Sequence, residues 1–509
     1  MDVHALNANL IRRVNLGDTL TRTAWRMPQH EAVVAGDRRL TYAELNAEVN
    51  RLANALAGRG YGRGDPILLV AGNCLEFLQT YYACAKLGAV CVPINLLWGP
   101  AEVAYVVEHC GARAAIVEPQ FAPLLGGAAL EVFQTPLDGL TAGAPDSEPV
   151  AYVEDRDPLS YLYTSGTTSA PKGVVGSHTA IYIESLTAAC EVGYGPDWRL
   201  AVMMPLFHTA QLNGVVTAGI LRGTALVLLR GFEPGLLLET IERERISMFF
   251  CLPIMFRALL EHPDLPKRDL SSLRLAVYAM APMPHGDLKR VIETLGCDVG
   301  LGFGQTEMSP LTTFFRPEHQ LTHAGSVGTQ MINVQTAVMD GEGNLLPPGE
   351  SGEIVYRGPH AMESYLHDEE ATAAAFAHGW FHSGDVGRFD EDGVLWFEDR
   401  TKDVIKTGGE NVASIEVERA LYDGEPRILE CVVIGLPDPR WGEAITAVVT
   451  PRPGETLTED EVIEAAKRSL PGFKAPKRVI FVDELPRTST GKVQKHVLRE
   501  QYAGERVSR

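Results

Sequence analysis

Basic side chains are in the minority: 45 lysines and arginines face 65 aspartates and glutamates, a formal charge of -20 over 509 residues. Such an excess repels nucleic acid and anionic membranes, which excludes both as the main partner, and it obliges any phosphorylated ligand to be met by a local concentration of positive charge. Cysteine pairs at metal or redox spacing are missing. The eight cysteines (Cys74, Cys84, Cys91, Cys110, Cys190, Cys251, Cys297 and Cys431) contain no Cys-x-x-Cys and mostly sit in apolar runs, so they read as buried reduced thiols of a cytosolic protein, not as a disulfide framework or a zinc site. Long apolar runs are missing too. The longest, residues 214–229, is broken by Arg222 and falls short of a membrane span. Residues 1–17 carry charges and no apolar signal core, and Val507-Ser508-Arg509 is not a peroxisomal Ser-Lys-Leu address. These absences leave a soluble, cytoplasmic enzyme as the expectation.

What is present is ordinary globular material, 45% hydrophobic and 22% charged, in a chain too long for one core, so two or more domains are expected. Thr41 with Glu44 three positions on marks a helix start, and Leu45, Val49, Leu52, Ala53 and Leu56 then recur at helical spacing. Short apolar strands follow at 66–71, 89–93 and 114–117, separated by an amphipathic helix at 75–87 and another helix at 102–110. This alternation predicts parallel βαβ units with helices on both faces. Residues 137–158 read as a surface connection, rich in Pro, Gly, Asp and Glu. After a helix at 179–190 and a strand at 200–204, the pattern turns at 334–356 to short alternating runs broken by Asp340-Gly341-Glu342-Gly343 and Pro347-Pro348-Gly349, which predicts antiparallel sheet. The last hundred residues predict a small α+β unit.

Residues 163–173, Tyr-Thr-Ser-Gly-Thr-Thr-Ser-Ala-Pro-Lys-Gly, pack five Ser/Thr hydroxyls, two glycines and Lys172 into one segment. Such a loop suits an anion: glycines let N–H groups close on phosphate oxygens, hydroxyls donate, and lysine adds charge. It is not a Walker A loop, which needs Gly before the lysine and Ser or Thr after it. Pro171 has no N–H and biases Ala170 away from helix, so the chain stays extended past the lysine.

Together with Phe303-Gly304-Gln305-Thr306-Glu307, Ser383-Gly384-Asp385, Asp399-Arg400-Thr401-Lys402-Asp403 and Pro486-Arg487-Thr488-Ser489-Thr490-Gly491-Lys492, this loop resembles the adenylate-forming (AMP-binding) superfamily in its acyl-CoA ligase branch. The motifs run in the family's order across nearly the whole chain. The resemblance implies an α/β fold: a large N-terminal AMP-binding domain over 1–399, with βα-type sheets and a β-rich subdomain, a hinge at 400–403, and a small mobile α+β cap over 404–509. It implies an AMP-forming acid–thiol ligase that uses ATP, Mg2+ and CoA, with no nucleic-acid partner and no integral membrane segment, and with room for a homodimer.

The resemblance also implies roles. Thr164, Ser165, Gly166, Thr167, Thr168 and Lys172 hold phosphates; Ala281, Pro282, Gly302, Phe303 and Gly304 wall the AMP site; Asp385 and Arg400 take the ribose. Thr306 donates to the α-phosphate and Glu307 supplies a carboxylate for Mg2+, although a loop carboxylate is ordinarily just solvated. Phe207, His208, Asn213, Ala279, Met280, Gly304, Met308 and Val327 line the acyl pocket; on its own, His208 reads equally as a satisfied histidine ending a strand. Lys406, Gly408 and Gly409 border the CoA tunnel, Lys402 is the swivel, and Lys492 bridges carboxylate and α-phosphate. Departures are Ser169 for a usual Gly, Thr329-Gln330 where a proline is common, and the bulky Tyr278-Ala279-Met280. Met280 either narrows the acyl tunnel or fills the core. The acid is therefore expected to be fatty or otherwise hydrophobic, compact or aryl, with transfer to a carrier protein as the alternative to CoA. An amino-acid activator would place an acidic residue near Phe207, and none is there. A silent nucleotide-sensing scaffold is disfavoured by intact Lys172, Glu307, Asp385 and Lys492.

Overall fold

The computed structural model describes residues 2–164, 171–279, 283, 285–488 and 493–503. Four sheets organise the chain. In the first, the parallel strands Pro66–Val70, Val90–Pro93, Ala114–Val117 and Glu131–Gln134 adjoin Pro158–Thr164, against which Lys172–Ser177 and then Ser364–Tyr365 pair antiparallel. The second has nine strands; its middle is parallel, from Glu31–Ala35 through Ala225–Leu228, Arg199–Val202, Met248–Cys251 and Leu275–Tyr278 to Asp298–Gly304. The third is antiparallel, built from Gln335–Met339, Gly352–Arg357, Phe381–Phe389 and Leu395–Arg400. The fourth lies beyond residue 404 and joins Glu410–Val412, Ile405–Thr407, Gly442–Pro451, Ile428–Asp438 and Arg478–Phe481 under three helices. This is the expected large α/β domain with a β-rich part, followed by a smaller α+β domain.

Local signals explain several elements. Helix Tyr42–Gly58 opens on a closed capping box, in which Thr41 Oγ1 accepts the Glu44 N–H and the Glu44 carboxylate accepts the Thr41 N–H; its buried face is Leu45, Val49, Leu52, Ala53 and Leu56. Helix Leu75–Leu87 differs from its amphipathic expectation: every residue except Glu76 is buried, because it is packed among the two helices beside it and the first sheet. Cysteines depart as well. All eight are free thiols, but Cys190 is exposed and Cys297 half-buried. The apolar run at 214–229 breaks into a π-helical turn, helix Thr217–Arg222 and strand Ala225–Leu228, and among the described residues no helix is long and apolar enough to cross a membrane.

The connection at 137–158 is more than surface. Lys86, 1% exposed at the end of helix Leu75–Leu87, has its Nζ 2.7–2.8 Å from Thr21 Oγ1, Asn46 Oδ1, Asn50 Oδ1 and Glu148 Oε2. Burial lowers its pKa and Glu148 opposes that shift, so one ammonium cross-links three helices to the connection. Lys86→Met, which leaves the buried Asn50 Oδ1 and the half-buried Asn46 Oδ1 and Thr21 Oγ1 without their donor, is expected to lower stability by about 2–3 kcal/mol in urea unfolding; a change within about 0.5 kcal/mol would be the contrary result.

His178 is buried with its Nδ1 accepting the Leu16 N–H, and burial pushes its pKa down to about 3. A neutral native histidine binds no proton where its unfolded counterpart does, so its contribution is complete above about pH 6.5 and is lost as pH falls toward 3. Taking the protein from pH 7 to 5 is expected to remove up to about 2 kcal/mol through this group. His178→Gln should flatten that part of the acid limb, and an unchanged limb would argue against it.

Candidate active site

The phosphate-loop sequence closes a β-hairpin, with Tyr163 opposite Gly173 and Thr164 opposite Lys172. Extended chain resumes at Lys172, as Pro171 requires. Ser165, Gly166, Thr167 and Thr168 lie outside the described residues. Gly173 is needed for a close approach, since a Cβ there would sit 3.1 Å from Tyr163 Cζ and 3.2 Å from Leu366 Cβ. Lys172 Nζ lies 4.8 Å above the centre of the Tyr365 ring and 3.7 Å from Asp368 Oδ2.

Gly302, Phe303 and Gly304 end the strand Asp298–Gly304, and Thr306, Glu307 and Met308 form the next turn. Gly304 is fixed by contact: a Cβ would fall 1.9 Å from the Pro310 carbonyl oxygen, where the strand register slips against Leu311–Phe315. Glu307 is held from two sides. Its Oε1 accepts the Tyr365 O–H at 2.9 Å, and its backbone carbonyl accepts the Met362 N–H at 2.7 Å. Thr306 is half-buried beside it, and Met308 is fully buried. Glu184 is fully buried, one oxygen accepting the Leu311 N–H at 3.3 Å, and burial raises its pKa well above the ordinary carboxylate value.

Asp385 and Arg400 are register partners in the third sheet, and Arg400 Nε stands 3.1 Å from the Asp385 carboxylate, whose side chain is buried. Phe303 packs against Phe397 of the same sheet, ring centres 5.5 Å apart. The loop lysine, the Thr306-Glu307 turn and the Asp385–Arg400 pair thus come from three different sheets.

The model of the AMP-binding enzyme family matches residues 20–366, and that of the AMP-binding enzyme C-terminal domain matches 416–492. The chain belongs to the AMP-binding enzyme family. Within this family it is 38% identical to a feruloyl-CoA synthase of Amycolatopsis sp over 97% of this chain and 100% of that one. It is 34% identical to a long-chain-fatty-acid–CoA ligase of Mycobacterium tuberculosis, over 96% and 99%. Among solved structures, ATP-bound MatB from Rhodopseudomonas palustris superposes with a TM-score of 0.91 at 30% identity, covering 97% of this chain and 99% of that one.

The remaining family positions are placed as follows. His208 Nδ1 accepts the Ala210 N–H, so the ring proton sits on Nε2; burial pushes its pKa down to about 4. Phe207 is half-buried next to it. Asn213 is buried with its amide used on both sides, donating to Thr209 Oγ1 and accepting from Tyr81 O–H. Ala279 and Val327 are buried; Met280, Ala281 and Pro282 lie outside the described residues. Tyr278 turns into the core and donates its O–H to Gln320 Oε1, so its bulk is accommodated there. Lys402 is exposed in the turn between strands Leu395–Arg400 and Ile405–Thr407. Gly408 and Gly409, both at positive φ, make the two-residue turn of the hairpin carrying Lys406. Lys492 lies outside the described residues. Tyr365, Asp368 and Glu184 were not singled out from the sequence, since a two-residue strand has no period and Asp368 carries the ordinary signature of a helix N-cap, which it also is. Gly304→Ala must displace the Thr306-Glu307 turn, and a roughly hundred-fold loss of AMP-forming rate is expected; a variant as fast as the parent would contradict the assignment of this turn.

Proposed function

We propose that the chain activates a hydrophobic, aryl-type carboxylic acid with ATP and passes it to coenzyme A in two half-reactions. The observation that carries this is Tyr365, whose O–H donates to Glu307 and whose ring faces Lys172, joining the phosphate hairpin to the Thr306-Glu307 turn, while Phe303 of the strand before that turn packs on Phe397 of the sheet that pairs Asp385 with Arg400. In the first half-reaction the carboxylate attacks the α-phosphate in line, giving acyl-AMP and pyrophosphate; in the second the CoA thiol displaces AMP. Transfer at phosphorus requires positioning and charge neutralisation more than covalent chemistry. Lys172 takes the β- and γ-phosphates. Its pairing with Asp368 is about 40% exposed on both sides and contributes at most about 1 kcal/mol, too little to keep the ammonium from a triphosphate.

Asp385 accepts from the ribose hydroxyls, with Arg400 beside it, and Thr306 donates to the α-phosphate. His208, neutral at working pH with its proton on Nε2, donates to the substrate carboxylate without titrating against it. For Mg2+ the residues fit: the ion takes one or two carboxylates together with phosphate oxygens, and Glu307 keeps Oε2 for it while Oε1 accepts from Tyr365. Bound there, Mg2+ neutralises phosphate charge.

Residues 1–399 and 404–509 are the two moving bodies in this reading and 400–403 the hinge, with the swivel at Lys402. Polar contacts across the boundary include Arg257 Nη1 to the Leu429 carbonyl, Arg419 Nη2 to the Gly325 carbonyl and the Ser414 N–H to the Asp399 carboxylate. The buried apolar clusters on the two sides of the boundary are separate, which supports a cap that brings Lys492 to the first half-reaction and Lys406, Gly408 and Gly409 to the second. The aryl class is favoured by the similarity to a feruloyl-CoA synthase. A cytoplasmic setting, in keeping with eight free cysteines, belongs to the same reading.

A panel of aryl and fatty acids, assayed for AMP release with ATP, MgCl2 and CoA, is expected to show aryl acids turning over with matched loss of free CoA thiol. Hydroxylamine-trapped acyl-AMP without thiol loss would refute the CoA step. Lys492→Ala should abolish acyl-AMP formation yet leave thioester formation from supplied acyl-AMP within about tenfold of the parent; equal loss of both half-reactions would remove the bridging role.

A further inference from the structure

The segment from Met362 to Asp368 touches both halves of the phosphate site. Ser364–Tyr365 adds as an edge strand to Lys172–Ser177, with Ser364 opposite Val175 and Tyr365 opposite Val174, extended by the Glu363 N–H to the Val175 carbonyl at 2.9 Å and the Leu366 N–H to the Gly173 carbonyl at 2.7 Å. Two residues before this strand, the Met362 N–H holds the Glu307 carbonyl. One side chain closes the connection: the Tyr365 phenol donates to Glu307 Oε1 at 2.9 Å while its ring face lies 4.8 Å from Lys172 Nζ.

We propose that Tyr365 is the positioning residue that keeps Lys172 and Glu307 close but unpaired with each other, so that phosphates and metal are met by a cation and an anion already at fixed separation. This rests on the ligase reading above. A lysine and a carboxylate brought to one site in a hairpin and a turn tend to collapse into an ion pair, and each would then have to be pulled away before it could serve a ligand. The ring blocks this. Its electron-rich face attracts the ammonium without cancelling its charge, and its O–H orients one carboxylate oxygen while leaving the other available.

Two substitutions separate the functions of the ring and the hydroxyl. Tyr365→Phe keeps the face for Lys172 and loses the bond to Glu307; Tyr365→Leu loses both. The measurement is equilibrium binding of a fluorescent ATP derivative to the full-length protein, in EDTA and across a MgCl2 titration, with no acid or CoA present. Tyr365→Phe is expected to need roughly ten-fold more MgCl2 for half-maximal enhancement, with metal-free nucleotide affinity within about two-fold of the parent. Tyr365→Leu is expected to weaken both by roughly ten-fold. A Tyr365→Phe protein matching the parent in its MgCl2 response, or weakened equally with and without metal, would overturn the proposal. Parent protein whose ATP binding ignores MgCl2 would overturn it too. The acid panel decides the ligase reading separately, because nucleotide binding is scored whether or not any acid turns over.

Discussion

Three sheets of the large domain meet where residues 358–368 cross from the antiparallel sheet to the edge of the phosphate hairpin. The pairing of Ser364–Tyr365 with Lys172–Ser177, together with the Met362 N–H on the Glu307 carbonyl, fixes the hairpin against the Thr306-Glu307 turn. A protein of net charge -20 that handles two anionic reactants needs its positive groups gathered and its own carboxylates held in place. This junction does both. It is also why the site lies at sheet edges and strand ends: there, backbone N–H groups and short turns are free to face a ligand, whereas the strand interiors are committed to the ladder.

The same logic separates residues that hold the site from residues that act in it. Glu184, fully buried, anchors the backbone just past the Glu307 turn. Gly304 exists because the Pro310 carbonyl occupies the place of a side chain. Glu184 is fully buried, and the contact at Gly304 is with backbone, so both set where Thr306 and Glu307 stand. In the cap, Lys495 Nζ, 2.9 Å from Glu418 Oε1 and near Asp399 and Asp403, ties the last helix to the hinge-side segment, and Asp399 accepts the Ser414 N–H at the start of the cap's first helix. The proposed swivel is therefore flanked by firm electrostatic anchors, with Lys402 itself exposed between them.

Much of this was legible in the sequence where the cause is local. The capping box of helix Tyr42–Gly58, the βαβ rhythm of the first sheet and the extended chain after Pro171 follow from propensity, period and a missing N–H. Where tertiary packing decides, the sequence was silent or misleading. The helix at 75–87 carries polar residues such as Gln79, Thr80 and Lys86 that look solvent-facing, but neighbouring elements bury them and supply partners. The bulky Tyr278-Ala279-Met280 segment reads as a departure from the family, yet Gln320, forty-two positions from Tyr278, draws that side chain into the core. Tyr365 gives no local signal at all, because its meaning lies in two residues far from it in the chain, Lys172 and Glu307.

The most direct test of this arrangement is a crystal structure with a non-hydrolysable acyl-sulfamoyl adenosine, which presents ribose, a stand-in for the α-phosphate and an acyl group at once. If the three sheets build one nucleotide site, the ribose hydroxyls will lie within hydrogen-bond distance of Asp385, the sulfamoyl group will sit against Thr306, and the acyl group will point toward His208. An adenosine seated away from Asp385 and the end of strand Asp298–Gly304 would contradict it.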